Sequence, residues 1–135
     1  MTAQDILRTK KTFAVVGATP DPWKYGYEVL ATLIEAGYTV LPINPKYPEI
    51  EGIRCYASLA DLPQKPEVVI SALAPANTER VVEKVQELGI ELLWMPPGCW
   101  SEEAVKKCEA IGQPFIYDVC PIGTLKMMQR GSEQK

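Results

Sequence analysis

Residues 11–22 read KTFAVVGATPDP, and the prediction of the fold starts from this stretch. Residues 11–16 form a short apolar run rich in residues that favour β-strands. The run stops at Gly17, and Pro20 and Pro22 prevent the strand from continuing. A buried strand that ends in a glycine turn is therefore predicted at the start of the chain.

A helical period follows this turn. From Tyr27 onward, apolar residues recur with helical spacing, and Gly37 stands where a helix C-terminal cap is expected. Residues 38–43 then form a second predicted strand. The next segment, residues 44–66, lacks a strong period and is predicted as a long connection with a short helical turn at 58–62.

The same alternation of strand and helix continues to the end of the chain. Further strands are predicted at residues 67–73, 90–95 and 115–119. Two further helices are predicted to begin at the N-caps Asn77 and Ser101 and to end at Gly89 and Gly112. At the other end of the chain, Thr2 and Asp5 have the spacing of a capping box for a short first helix.

Apolar strands that alternate with amphipathic helices are typical of a parallel sheet covered on both faces. The predicted fold class is therefore α/β: a doubly wound, Rossmann-like domain with a mostly parallel sheet of about five strands. We predict one domain over residues 1–135, with its core at about 11–125. The expected strand order is 3-2-1-4-5, with ligands bound at the carboxyl ends of the strands.

Composition excludes several classes of function. The chain of 135 residues has 47% hydrophobic and 23% charged residues and a net charge of -3, so we expect no nucleic-acid or membrane partner. No apolar run approaches the length of a membrane helix, and a cytoplasmic location is expected. Histidine is absent, which removes the commonest general base and any histidine-containing triad. We therefore expect no catalytic residue. We also expect no metal site, because the four cysteines are scattered without a paired spacing and no histidine could complete a mixed zinc site.

The turn after the first strand is the natural place for a phosphate group, because backbone N–H groups and the helix dipole both point there. Gly17, Ala18 and Thr19 occupy this turn, although the complete G-x-G-x-x-G pattern is absent. A tight turn without a ligand is the alternative. The candidate binding residues at this position are Gly17, Ala18 and Thr19.

The end of the second strand reads Asn44-Pro45-Lys46. Enzymes that bind NAD usually place an acidic residue here to contact the adenosine ribose. A lysine instead suits a ribose that carries a phosphate, as in NADP and coenzyme A, so NAD is the weaker candidate. The alternative is that Lys46 is a solvated surface charge.

Later strand ends add further candidates at the same edge. Ala74 and Pro75 follow the third predicted strand and are candidate contacts for a ligand. Cys120 follows the last one, where it either packs in the interior or meets a ligand thiol and forms a mixed disulfide on oxidation.

Four segments, in this order, resemble the small stand-alone CoA-binding protein family. They are VVGAT at 15–19, NPK at 44–46, LWMPPGCWSEEA at 93–104 and DVCP at 118–121. The same order is similar to the CoA-binding domain of the succinyl-CoA synthetase alpha subunit. The resemblance covers about residues 11–125.

The resemblance implies that the chain binds coenzyme A or an acyl-CoA in a carrier or regulatory role, without catalysis. The synthetases use a histidine outside their CoA-binding domain, and this chain has none. The alternatives are an NADP-dependent oxidoreductase and a regulatory subunit of an acyl-CoA synthetase. A synthetase partner or a second copy of the chain is the expected protein partner. Carried over by position, the implied CoA contacts are Gly17, Ala18, Thr19, Asn44, Pro45, Lys46, Ala74 and Pro75.

Overall fold

The structure, a computed structural model, describes residues 1–133. The helices among them are α1 (Ala3–Thr9), α2 (Tyr25–Glu35), α3 (Pro75–Glu87), α4 (Glu102–Ile111) and α5 (Pro121–Glu133). The strands are β1 (Thr12–Val16), β2 (Thr39–Ile43), β3 (Glu49–Ile50), β4 (Ile53–Arg54), β5 (Val68–Ser71), β6 (Leu92–Met95) and β7 (Phe115–Tyr117). A short 3-10 helix at Leu59–Asp61 confirms the helical turn predicted in the long connection.

Five parallel strands form the main sheet, in the order β2-β1-β5-β6-β7. The predicted α/β class and the parallel five-stranded sheet are confirmed. The strands β3 and β4, which were not predicted, form a small antiparallel hairpin within the long connection.

The predicted strand order of 3-2-1-4-5 is wrong. Counted along the chain, the five strands of the main sheet lie in the order 2-1-3-4-5. The third of them, β5, pairs with β1 rather than with β2, so that Val15 lies between Pro42 and Ile70.

The physical reason lies at the outer edge of β2, which the chain itself covers. The backbone N–H of Tyr56 donates to the carbonyl of Pro42 at 3.0 Å, and the N–H of Asn44 donates to the carbonyl of Tyr56 at 2.9 Å. Pro42 also has no N–H to offer a further strand on that side. The third strand therefore has to cross β1 and pair on its other side.

Helices cover both faces of the sheet and bury alternate residues of its strands. On one face, α1, α2 and α5 pack over β1 with the buried residues Ile6, Leu7, Phe13, Val15, Leu30, Leu33, Ile122 and Leu125. On the other face, α3 and α4 pack with Ala14, Val82, Val85, Leu93, Met95, Ala104 and Cys108. The helix α5 was not predicted, because Pro121 and Gly123 obscure its helical pattern.

The helix caps show where the sequence signals were sufficient. The capping box of Thr2 and Asp5 is present, and the Ser101 hydroxyl accepts from the N–H of Ala104 at 3.0 Å, as predicted.

The prediction that Asn77 caps α3 is wrong. The helix starts two residues earlier, at Pro75, whose fixed φ suits the first helical position, and Ala74 is its N-cap. Asn77 therefore lies in the first turn, and its side chain is exposed.

Within residues 1–133, no helix combines the length and the apolar character that crossing a bilayer would need.

Candidate functional site

Two adjoining cavities lie at the carboxyl edge of the sheet, where β1, β2 and β5 end. The larger one, which we name the α3 cavity, has a volume of ≈ 580 Å³. It is lined by Val16, Gly17, Ile43, Asn44, Pro45, Lys46, Ala57, Ser58, Leu59, Leu73, Asn77, Arg80, Val81 and Lys84. The smaller one, the α2 cavity, has a volume of ≈ 270 Å³ and is lined by Gly17, Thr19, Lys24, Tyr25, Gly26, Asn44, Lys46, Tyr47, Ala72, Leu73 and Ala74.

The predicted site residues fall into three groups. Gly17, Asn44 and Lys46 line both cavities. Three residues line one cavity each: Pro45 lines only the α3 cavity, and Thr19 and Ala74 line only the α2 cavity. Ala18 and Pro75 line neither: the Ala18 side chain is fully buried in the core, and Pro75 is the first residue of α3.

Gly17 occupies a position that only glycine fits. Its φ of 91° lies in the left-handed region, and a Cβ there would come within 2.7 Å of the Ala72 carbonyl oxygen. The first turn of α2 approaches it just as closely, since a Cβ on Gly26 would lie 2.1 Å from the Gly17 carbonyl oxygen. These two glycines bring α2 and the end of β5 against the turn after β1.

Asn44 connects the two loops of the site. Its amide nitrogen donates to the Ala18 carbonyl at 2.8 Å, and its amide oxygen accepts from the Lys46 backbone N–H at 2.9 Å. Because these groups bond within the protein, Asn44 positions the turn after β1 relative to Lys46.

The helices α2 and α3 point their N-termini at this edge without a side-chain cap. Neither N-cap residue, Lys24 or Ala74, makes a side-chain hydrogen bond to its helix. Thr2 and Ser101, the N-caps of α1 and α4, both do. The N–H groups of Tyr27 and Asn77 already donate to the Lys24 and Ala74 carbonyls, and Pro75 has no N–H. What α2 and α3 present to the cavities is therefore chiefly the positive end of each helix dipole.

The charges around both cavities are of one sign. Lys46, Arg80 and Lys84 line the α3 cavity, Lys24 and Lys46 line the α2 cavity, and neither lining contains a carboxylate. The chain as a whole carries a net charge of -3. This local excess of positive charge suits an anionic ligand.

Lys24, Arg80 and Lys84 were missed from the sequence. Asn77, Arg80, Val81 and Lys84 follow the spacing of one helix face, which was the available signal. The position of α3 depends on which strand β5 pairs with. Because the predicted strand order was wrong, this helix face could not be placed at the site from the sequence.

Cys120 contacts Tyr25, which lines the α2 cavity. The Tyr25 hydroxyl is 3.1 Å from the Cys120 sulfur, and burial, followed by this hydrogen bond, raises the pKa of Tyr25. Burial also raises the pKa of the Cys99 and Cys108 thiols to about 11. All four cysteines are free, and within residues 1–133 no group of three potential metal-binding side chains comes together.

Comparison with known proteins identifies the family. The sequence profile of the CoA binding domain matches residues 11–125. The chain belongs to the CoA-binding domain family. This confirms the resemblance seen in the four sequence segments.

Relatives of this CoA-binding domain include a stand-alone protein and a ligase. The chain is 27% identical over 117 residues to the uncharacterized protein YneT of Bacillus subtilis, covering 87% of each chain. It is 31% identical over 81 residues to an ADP-forming acetate–CoA ligase of Methanocaldococcus jannaschii. The matched segment covers 60% of this chain and 12% of the ligase. The CoA-binding domain thus corresponds to a small part of the ligase and to most of YneT.

Among solved structures, the CoA-binding domain is similar to a hypothetical protein from Pyrococcus horikoshii. The two share 35% identity with a TM-score of 0.86, over 94% of this chain and 92% of the other.

Proposed function

We propose that this chain binds coenzyme A or an acyl-CoA and acts as a carrier or regulatory protein in the cytoplasm, without catalysing a reaction itself. The observation that carries the proposal is the pair of adjoining cavities with cationic linings at the carboxyl edge of the sheet. Membership of the CoA-binding domain family supports the same ligand.

The pyrophosphate of CoA is proposed to lie at the turn after β1. Ala18 and Thr19 would offer backbone N–H groups there, and Ala18 can contribute only its backbone because its side chain is buried. The N–H of Gly17 donates to the Ile43 carbonyl at 3.1 Å, so Gly17 would instead let the pyrophosphate approach the backbone closely. Lys46, in the loop after β2, lines both cavities together with Gly17, and Asn44 holds the two loops together. Pro45 would contact the ligand from the α3 cavity, and Ala74 and Pro75 from the start of α3.

The absence of histidine from the whole sequence supports a role in binding rather than in catalysis. The part of the ADP-forming acetate–CoA ligase that this chain matches is 12% of that enzyme. Association with a synthetase, as a regulatory subunit, is the second candidate role, and a homo-oligomer is a further possible assembly. The NADP-dependent oxidoreductase remains as the alternative from another functional class.

Calorimetric titration with CoA, acetyl-CoA, NADP and NAD separates these possibilities. We expect CoA and acetyl-CoA to bind more tightly than either dinucleotide, because the chain belongs to the CoA-binding domain family. The cationic linings by themselves favour ligands with a phosphorylated ribose, CoA and NADP, over NAD. Native mass spectrometry of the protein as purified is expected to show bound CoA. Tight NADP binding without CoA binding would refute the proposed ligand and favour the oxidoreductase.

Cys120 is expected to form a mixed disulfide with CoA when the protein is treated with CoA disulfide. Its thiolate would attack one sulfur of the CoA disulfide, so that a protein–CoA disulfide forms and one CoA leaves as the thiolate. Cys55, Cys99 and Cys108 should react more slowly, because they are buried and burial raises the pKa of each thiol.

Intact-mass analysis checks this expectation. The adduct should appear in the wild-type protein, disappear in Cys120→Ser and persist in the matched control Cys108→Ser. An adduct that survives the Cys120→Ser change would assign the reaction to another thiol.

A further inference from the structure

One face of α3 lines the α3 cavity along two turns of the helix. Asn77, Arg80, Val81 and Lys84 lie at the spacing that places residues on one side of a helix, and all four line the cavity. The buried hydroxyls of Ser71 and Thr78, 2.7 Å apart, fix the start of this helix to the end of β5. The helix is thus held in one orientation relative to the sheet.

Charges on α3 are separated by face. The acidic residues Glu79 and Glu83 point towards α4, where Ser101 donates to Glu79 at 2.9 Å and Lys107 pairs with Glu83 at 3.2 Å. The basic residues Arg80 and Lys84 lie on the cavity side. Lys84 lies 3.3 Å from the exposed carboxylate of Glu87, and Arg80 has no carboxylate partner among the ion pairs within residues 1–133.

Much of the wall of the α3 cavity is apolar. Val16, Ile43, Leu59 and Leu73 line it together with Val81. A cavity of this kind, with apolar walls and a few placed polar groups, suits a flat ring with an attached charged group. The volume of ≈ 580 Å³ lies within the range of small-molecule sites, which is roughly 300–1,000 Å³.

We infer that the α3 cavity is the subsite for the adenosine 3′-phosphate of CoA, and that Arg80 and Lys84 are the residues that recognise this phosphate. The inference rests on the proposed function and specifies which part of the ligand each cavity takes. A guanidinium group suits a phosphate because it offers two parallel N–H donors. Lys46 lines both cavities and is therefore left for the pyrophosphate between them.

Titration with CoA and with dephospho-CoA, which lacks only the 3′-phosphate, tests the inference. The wild-type protein should prefer CoA by about 10- to 100-fold, the effect of one or two charge-assisted hydrogen bonds. Arg80→Ala should remove most of this preference and leave the affinity for dephospho-CoA within about two-fold of wild type. Lys84→Ala should act in the same direction with a smaller effect, since its ammonium group is shared with Glu87.

The matched control is Lys106→Ala, which removes one positive charge from the exposed face of α4. It should leave both affinities unchanged, and thermal melting of every variant should match the wild type. An equal loss for both ligands in Arg80→Ala, or no loss for either, would overturn the assignment of the 3′-phosphate. Equal wild-type affinity for CoA and dephospho-CoA would also overturn it. Failure of the wild-type protein to bind CoA at all would instead overturn the proposed function.

Discussion

Replacing Gly26 with alanine is expected to destabilise the fold and to weaken CoA binding by at least about 100-fold, the loss of two or more charge-assisted hydrogen bonds. The added Cβ would lie 2.1 Å from the Gly17 carbonyl oxygen and 3.1 Å from its carbonyl carbon. Both contacts are with backbone, so no side chain can move aside. The first turn of α2 must therefore shift away from the turn after β1, and the α2 cavity that the two glycines line would change shape.

The free energy of unfolding of Gly26→Ala should fall by about 1–3 kcal/mol or more, the usual cost of adding a methyl group to a tightly packed interior. Denaturant unfolding and calorimetry with CoA measure the two effects.

Gly131→Ala is the matched control. Gly131 lies in α5, is exposed, and has no atom within 4 Å of the added Cβ. Alanine there should raise stability by about 0.5–1 kcal/mol, because glycine is unfavourable within a helix, and should leave CoA binding unchanged. If Gly26→Ala melts and binds CoA like the wild type, the close approach of α2 to the turn is not required.

Lys46→Ala is expected to weaken CoA binding by about one to two orders of magnitude while the fold keeps its stability. A charge-assisted hydrogen bond to a phosphate contributes about 1.5–3 kcal/mol, which corresponds to this loss. The Lys46 side chain is exposed and belongs to none of the ion pairs within residues 1–133, so its removal should leave no buried group unsatisfied.

The affinities of Lys46→Ala for CoA and for dephospho-CoA, compared with those of the wild type, show which phosphate Lys46 contacts. Because Lys46 lies between the two cavities, we expect Lys46→Ala to lose equal affinity for CoA and dephospho-CoA, as a pyrophosphate contact requires. Loss of the preference for CoA would instead assign Lys46 to the 3′-phosphate. Higher salt should reduce the difference in CoA affinity between the wild type and Lys46→Ala, because screening weakens an exposed ion contact. An affinity equal to that of the wild type would make Lys46 a solvated surface charge.

Much of the fold could be predicted because its signals are local. The capping box at Thr2 and Asp5, the N-cap at Ser101 and the left-handed Gly112 after α4 depend on neighbouring residues, and the structure contains all three. The start of α3 was misplaced for a local reason as well. Pro75 at the first helical position competed with the Asn77 signal, and the fixed φ of proline decided the start of the helix.

Part of the candidate site could also be predicted, because strand ends of a parallel sheet converge on one edge. Gly17, Asn44 and Lys46 were expected there, and they line both cavities. Ala18 was expected as well, but its side chain faces the core. In a turn, the direction of a side chain depends on the backbone torsion angles, which the residue types alone do not specify.

The sequence by itself determined the α/β class, the parallel sheet, the family and the turn at Gly17, because each depends on residues close together in the chain or on the order of short segments. Only the tertiary structure decided that β5 lies beside β1, since this depends on Tyr56 returning to cover the edge of β2 at Pro42. That pairing places α3 beside the cavity that the ends of β1 and β2 line, and it brings Arg80 and Lys84 to the same cavity as Lys46. Lys46 is more than thirty residues away from Arg80 and Lys84 in sequence, and no local pattern relates it to them.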